Sequence, residues 1–333
     1  MATAKPTTQP RQPEAAAFPV ALLTGSDHSP GRETALALAR AGFKVWAVVP
    51  SAEDAAILAR EARGLALMPV VLDVTDGRDR ARVVADIVDI DGRLDALILD
   101  VATTLEGPLA LLSDNEVFQL FDRNVLATFG FIRDTLPLLK AAPRGRIIAF
   151  SPLSGDLAIP GMGAASAARF ALDALFSAWR TELGADGIAL TLLETGPVRS
   201  ESARPASLSG RAAAEAREDG PWRPFIARFL ALRLAMMTRA LPPSDVAEAL
   251  VTLAATESPP QQLSLGGPSR TRRVLQALLP ARALQRLVGV VFTPSVPTQP
   301  AAAPTPDTGR PTPTPRPSPR WGGRPRAVPP AKL

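Results

Sequence analysis

Apolar runs of strand length alternate with longer stretches of helical spacing along most of this chain. "PVALLTG" (19–25) is a continuous apolar run ending in glycine, and "RETALALARAG" (32–42) follows it with helical spacing and a glycine stop. "KVWAVV" (44–49) is the next strand, followed by a helix at 53–63, "ALMPVVLDV" (66–74), a helix at 78–90 and "LDALILDV" (94–101). A long helical pattern then runs from Asp114 to Lys140, before "RIIAFS" (146–151), a helix over 162–184 and "IALTLLET" (188–195). Strands that are apolar at every position are buried on both faces, and helices between successive strands make them parallel. Right-handed crossovers then predict an α/β fold: a doubly wound parallel sheet in three layers, of Rossmann type. Such sheets hold ligands beyond the carboxyl ends of their strands. The informative positions are therefore 24–31, 50–51, 73–74, 100–103, 151–169 and 195–200.

The character changes after Ser200. Residues 201–241 are rich in Ala and Arg and predict a variable helical cap, with one helix over 223–241. A second helix is expected at 242–255, a last strand in "QQLSLGG" and an apolar helical pair with basic residues over 272–292. Residues 1–17 and 294–333 differ from this body. The second of these holds thirteen of the chain's 35 prolines, which fix φ and remove donors, so it is expected to be extended and without a core. The body from 18 to 293 has 276 residues, ample for one domain with a buried core. Residues 1–17 lack the apolar stretch of a secretory signal, and no run offers the ~20 apolar residues of a membrane helix, so a cytoplasmic location is expected.

Composition narrows the chemistry. The net charge of +5 comes from 37 Lys and Arg against 32 Asp and Glu, but 294–333 alone carry six cations and one anion, so the body is formally neutral. That tail predicts weak, salt-sensitive contact with acidic partners and no specific nucleic-acid recognition. The chain has no Cys, which excludes disulfides, a thiolate nucleophile and sulfur-ligated metal sites. Its one histidine, His28, cannot build a histidine cluster, so no metal is expected. It has no Tyr, which removes a phenolic acid or base.

Within "LLTGSDHSPGRETA", Gly25 suits a tight turn and Gly31 lets a helix pack closely on the strand. A helix N-terminus there can hold a phosphate. Ser29 stands where a second glycine would admit a pyrophosphate, and Pro30 has no N–H to offer it. The segment is thus either a weakened nucleotide loop or an ordinary helix start, where proline is common. Asp73, at the end of "VVLD", suits an adenine edge or a local turn cap. No acid follows the second strand to take a ribose hydroxyl and no Arg to take a 2′-phosphate, which leaves His28 as the nearest candidate for that phosphate or as a plain solvated histidine.

Taken in order, "LLTG...GRETALALARAGFKV", "LDVTD", "FDRNVLATF", "LPLLKAAPRGRII", "LAIPGM" and "FALDAL...ELGADGIALTLLETGPVRS" resemble the short-chain dehydrogenase/reductase family, in its steroid- and retinol-dehydrogenase-like branch. The resemblance spans roughly 18–290. It implies a Rossmann-type domain, NAD(P), alcohol–carbonyl hydride transfer, a lipophilic small molecule beneath the cap, and a homodimer or homotetramer formed through the helices at 114–140 and 162–184. Of the family's glycine motif, Thr24, Gly25 and Gly31 match while Ser29 and Pro30 depart. The cofactor positions it implies are Gly25, Asp27, His28, Ser29, Gly31, Asp73, Val74, Val101, Ala102, Gly196, Val198 and Ser200. The Asn-Asn-Ala-Gly motif falls on Leu99, Asp100, Val101 and Ala102, and Thr195 replaces the proline before Gly196. The family's helix asparagine matches Asn124, but its catalytic serine, tyrosine and lysine fall on Pro152, Ala165 and Arg169.

Loss of a positioned acid or base costs ~10²–10⁴-fold in rate. Arg169 keeps a cation able to bind the nicotinamide ribose, but it does not donate a proton at neutral pH. Two functions follow as expectations. In one, the chain is a catalytically impaired nucleotide- or ligand-binding protein or scaffold with a weakened NAD(P) site. In the other, it is an active oxidoreductase on a lipophilic alcohol or ketone with a non-standard acid, for which Asp100 or Asp156 acting through water, or the hydroxyls of Ser151, Ser154 and Ser166, are the candidates.

Overall fold

The computed structural model describes residues 18–100, 103–151, 158–199, 208–217 and 220–266, together with 283, 286, 289 and 290. Seven strands lie in one sheet: β1 (Val20–Leu23), β2 (Lys44–Val49), β3 (Leu67–Val71), β4 (Ala96–Asp100), β5 (Arg146–Ser151), β6 (Ala189–Thr195) and β7 (Gln262–Leu265). All neighbours are parallel, in the order β3-β2-β1-β4-β5-β6-β7. The chain therefore winds outward in both directions from the β1–β4 pair, which makes the carboxyl end of that pair the crevice of the fold.

Side-chain alternation explains the uninterrupted apolar runs. Val20 and Leu22 of β1 join one buried cluster, whereas Ala21 and Leu23 join the other. In β5 the same division puts Ile147 and Ala149 on the first face and Ile148 and Phe150 on the second. Each fully buried Leu or Ile contributes ~1.5–3 kcal/mol. The first face is covered by α3 (Gly77–Ile90), α5 (Ala127–Ala141) and α6 (Gly163–Leu183), and the second by α1 (Gly31–Arg40), α2 (Ala52–Glu61) and α9 (Pro243–Ala255). Buried arginines close the ends of these layers. Arg146 donates to the Ala254 carbonyl at 2.8 Å and so satisfies an orphan acceptor at the end of α9. Arg80 donates to the Val74 carbonyl at 2.9 Å and lies over the Phe131 ring.

The helical pattern over 114–140 is divided. It forms α4 (Asp114–Phe121), one π-helical turn over Asp122–Leu126, and α5. Periodicity alone does not reveal a single widened turn, because apolar spacing resumes on the far side. Two cap helices, α7 (Gly210–Arg217) and α8 (Arg223–Met237), follow β6. The pattern predicted α8, ending four residues later, but did not single out the Ala-rich α7, which buries only Ala212. The helical pair expected at 272–292 lies almost wholly outside the described residues.

Serine and glutamate start α4 with a reciprocal capping box, Ser113 with Glu116, and the Glu116 Oε1 also accepts the Gly210 N–H of α7 at 3.0 Å. The Ser113 N–H above all, with the Ser113 hydroxyl and the Gly210 N–H, holds the Glu116 carboxyl below its ordinary range. A carboxyl lowered by folding stabilises the fold above its unfolded value, and that contribution is lost as pH falls. Hydrogen exchange at 209–217 is therefore expected to speed up below about pH 4, and Glu116→Gln should produce the same change at neutral pH. A second prediction concerns Gly31. A Cβ there would run into the Gly25 carbonyl oxygen, whereas one at Gly184 would meet nothing within 4 Å. Thermal unfolding should show Gly31→Ala destabilised by ~1–3 kcal/mol or more, with Gly184→Ala close to wild type.

Candidate functional site

β1 ends in a turn that only glycine can make. Gly25 adopts φ +74°, in the left-handed region, and Gly31 opens α1 directly against its carbonyl. The Thr24 N–H donates to Ile98 O of β4 at 3.1 Å and the Ser26 N–H to Val48 O of β2 at 3.0 Å, so the turn hangs between both neighbours of β1. Pro30 is the N-cap of α1 and offers no capping side chain. Within the turn the Arg32 N–H already donates to the His28 carbonyl at 2.8 Å, and the Ser29 hydroxyl donates to Glu33 Oε1 at 3.0 Å. Ser29 thus bonds its own helix.

Across the crevice stands Asp100, the last residue of β4. Its N–H donates to Thr24 Oγ1 at 2.8 Å, and its carboxylate is 4% exposed. The carboxylate sits so close to the turn that a Cβ on Gly25 would lie 2.5 Å from Oδ2. His28 closes the arrangement. Its Nδ1 is 3.0 Å from Asp27 Oδ2, and its Nε2 is 3.5 Å from Asp100 Oδ2. The Arg32 guanidinium donates to the Asp27 carbonyl. The structure thus brings Gly25, Asp27, His28 and Gly31 together, with Asp100 as a fifth member.

The other expected cofactor positions among the described residues make local contacts. Asp73 Oδ1 accepts the Thr75 N–H at 3.0 Å and its hydroxyl at 2.8 Å, and these bonds, the N–H first, hold the carboxyl below its ordinary range. Val74 gives its carbonyl to Arg80. The Gly196 N–H donates to the Leu265 carbonyl at 3.1 Å, and Val198 bridges Leu241 between β6 and α9. Val101, Ala102, Pro152 and Ser200 lie outside the described residues, as do Ser154 and Asp156.

Around the positions matched to catalysis, the structure is mostly closed. Asn124 lies in the π turn, 5% exposed, with its amide donating to the Thr103 carbonyl at 2.7 Å. Ala165 is 1% exposed and shares a cluster with Leu120 and Ala164, against which Leu105, Leu112 and Val117 pack. Arg169 is 2% exposed, and its guanidinium donates to Glu194 Oε1 at 2.8 Å and to Asp173 Oδ1 at 3.0 Å. Glu194, 3% exposed in β6, also accepts the Ser264 hydroxyl at 3.2 Å. A charge this deep needs a counter-charge, and Arg169 supplies it. Ser166 donates to the Met162 carbonyl at 3.0 Å, and Ser151 is buried at the end of β5. The sequence did not single out Glu194, although a carboxylate inside an apolar strand was the available signal.

The cap closes over this edge. Arg233 of α8 donates to Glu106 Oε1 at 2.8 Å, and Glu106 is 2% exposed. The Gly107 N–H donates to the Gly161 carbonyl at 2.7 Å, and Phe229 packs where a Gly161 Cβ would otherwise stand. Leu111, Ala212 and Ile226 form an apolar cluster beneath α7 and α8. Among the described residues no group of three or more His, Asp or Glu side chains could hold a metal, and no helix is long and apolar enough to cross a membrane.

The residues at the β1–β4 crevice fit a dinucleotide in shape, because the Gly25–Gly31 turn brings bare backbone to the helix start. They fit it less well in charge, because Asp100 stands against that turn. A family model described as short chain dehydrogenase matches residues 19–209. The chain is 32% identical over 181 residues to an uncharacterised oxidoreductase of Escherichia coli, YbbO, over 54% of this chain and 65% of that protein. It is 30% identical over 189 residues to human 17-beta-hydroxysteroid dehydrogenase type 1, over 54% of this chain and 57% of that enzyme. The matched stretch thus spans less than two thirds of either relative. A solved short-chain dehydrogenase from Streptomyces avermitilis superposes with a TM-score of 0.66 at 25% identity, over 83% of this chain and 98% of that one. With the sheet order, the glycine turn and the family match in agreement, this chain belongs to the short-chain dehydrogenase/reductase family and is a homologue of its NAD(P)-dependent oxidoreductases.

Proposed function

We propose that this chain binds a nicotinamide dinucleotide and a lipophilic ligand on a short-chain dehydrogenase scaffold whose hydride-transfer chemistry is impaired. One observation carries the reading: the position matched to the family's tyrosine is Ala165, sealed in an apolar cluster, in a chain without any Tyr. Arg169 supports it, because the cation matched to the family's lysine is committed to a buried ion pair with Glu194 and Asp173. A bound nicotinamide would supply or accept hydride. Gly25 and Gly31 would admit its diphosphate, Asp73 would stand beside its adenine, and Asn124 would line the crevice below. No tyrosine is present to protonate a substrate oxygen, and an arginine does not replace one at neutral pH.

The ligand class follows from the cap. The lipophilic class rests on the apolar character of the cap, where Leu111, Ala212 and Ile226 are buried against one another and Phe229 packs at Gly161. Assembly as a homodimer or homotetramer belongs to the same reading. Phe118, Leu126, Phe129 and Phe170 are 60%, 52%, 38% and 41% exposed on α4, the π turn, α5 and α6. An apolar surface of that kind favours a partner.

Fluorescence titration with NADH and NADPH, followed by a screen of carbonyl substrates, tests the proposal. Dinucleotide binding is expected, with turnover ~10²–10⁴-fold or more below that of an enzyme with an intact acid. Turnover at ordinary rates overturns the impairment and returns the reading to an oxidoreductase with a non-standard acid. A companion measurement concerns the buried pair. Arg169→Ala should cost ~3–5 kcal/mol in denaturant unfolding, because it leaves Glu194 buried without this counter-charge. Adding Glu194→Gln should recover part of that loss.

A further inference from the structure

The crevice at the β1–β4 pair holds an arrangement that the impaired chemistry does not explain. Two carboxylates, from Asp27 on the turn and Asp100 on β4, flank a single imidazole. Asp100 is oriented by its own N–H on Thr24 Oγ1 and lies against the Gly25 turn, at the helix start where a dinucleotide's diphosphate has to approach. A fixed carboxylate there repels an anionic group, and the low exposure of its side chain weakens solvent screening of that repulsion. Histidine is the side chain that changes charge between about pH 5 and 8. As the imidazolium it carries a donor on each ring nitrogen, one facing Asp27 and the other facing Asp100. In that state the crevice loses one net negative charge, and a cation stands beside the diphosphate.

The charged and titratable groups facing His28 come from each described element packed against it. They are Asp27 on its own loop, Asp100 on β4, and, on α1, Arg32, bound to the Asp27 carbonyl, with Glu33, bound to Ser29. Of these, Asp27 and Asp100 contact the ring, and only Asp100 also abuts the phosphate turn.

We propose that Asp100 is the residue that sets dinucleotide affinity in this chain, and that His28 makes binding of the anionic cofactor proceed with uptake of a proton. The proposal rests on the dinucleotide reading and adds its regulation. Lowering the pH therefore tightens binding, and neutralising Asp100 tightens it most at high pH, where His28 is neutral. His28 contacts a carboxylate on either side, so its replacement by a neutral isostere should weaken binding at low pH and leave the high-pH value nearly unchanged.

The test is a titration of the full chain with NADPH and with NADH, followed by nucleotide fluorescence, at about pH 6 and about pH 8.5, for the wild type, Asp100→Asn and His28→Asn. The wild type is expected to bind about tenfold or more tightly at the lower pH. Asp100→Asn is expected to bind about tenfold more tightly than the wild type at the higher pH, equivalent to ~1.4 kcal/mol. Calorimetry of the wild type in two buffers of different ionisation enthalpy should report a proton taken up. Circular dichroism of each variant checks that it is folded, and Asp100→Ser or His28→Gln replaces the one at the same position that is not. Wild-type binding that is independent of pH and equal to that of Asp100→Asn overturns this proposal while leaving the dinucleotide reading intact. Failure of every variant to bind at either pH overturns both.

Discussion

Burial of the sheet on both faces is the constraint on which everything else in this protein depends. Each of the central strands must present apolar side chains up and down, so Val20 and Leu22 enter one core while Ala21 and Leu23 enter the other. Helices then have to cover both faces, and the parallel crossovers that place them there push every connecting turn to one of two edges. The carboxyl edge collects the ends of β1, β4, β5 and β6, at Gly25, Asp100, Ser151 and Thr195. Chemistry has nowhere else to go in such a fold. The glycine turn, the π turn at Asn124 and the cap are consequences of that edge.

At this edge the positions matched to the family's tyrosine and lysine serve packing and a buried ion pair. At Ala165 the space of a large phenol is taken by small and aliphatic neighbours from α4, α6 and the loop after β4, so the position contributes packing. At Arg169 the cation survives but faces Glu194, a carboxylate that sits in the middle of an apolar strand. These two replacements support each other. A buried carboxylate demands a guanidinium, and a guanidinium held by two carboxylates is a poor partner for a mobile ligand. The crevice between β1 and β4 combines the close backbone approach of Gly25 and Gly31 with the charges of Asp100 and His28.

The cap adds a further dependence. It meets the body through polar bonds, Arg233 with Glu106 and the Gly210 N–H with Glu116, and through apolar packing of Ala212 and Ile226 with Leu111 and of Phe229 at Gly161.

The sequence by itself determined the elements, their order and the class of fold, because continuous apolar strands and helical spacing follow directly from which faces must be buried. It also determined that no tyrosine, cysteine or histidine cluster takes part, since absence from the chain needs no geometry. Part of the candidate site was legible as well: Gly25, Gly31, Asn124 and the replacements at Ala165 and Arg169 stand in recognisable spacing. Only the tertiary structure decided what those residues touch. That Arg169 meets Glu194, twenty-five residues away, and that His28 reaches Asp100 on β4 are facts of long-range packing. The physical reason is that periodicity records which face of an element is buried, whereas a charge finds its partner across elements, at a distance along the chain that no local pattern encodes.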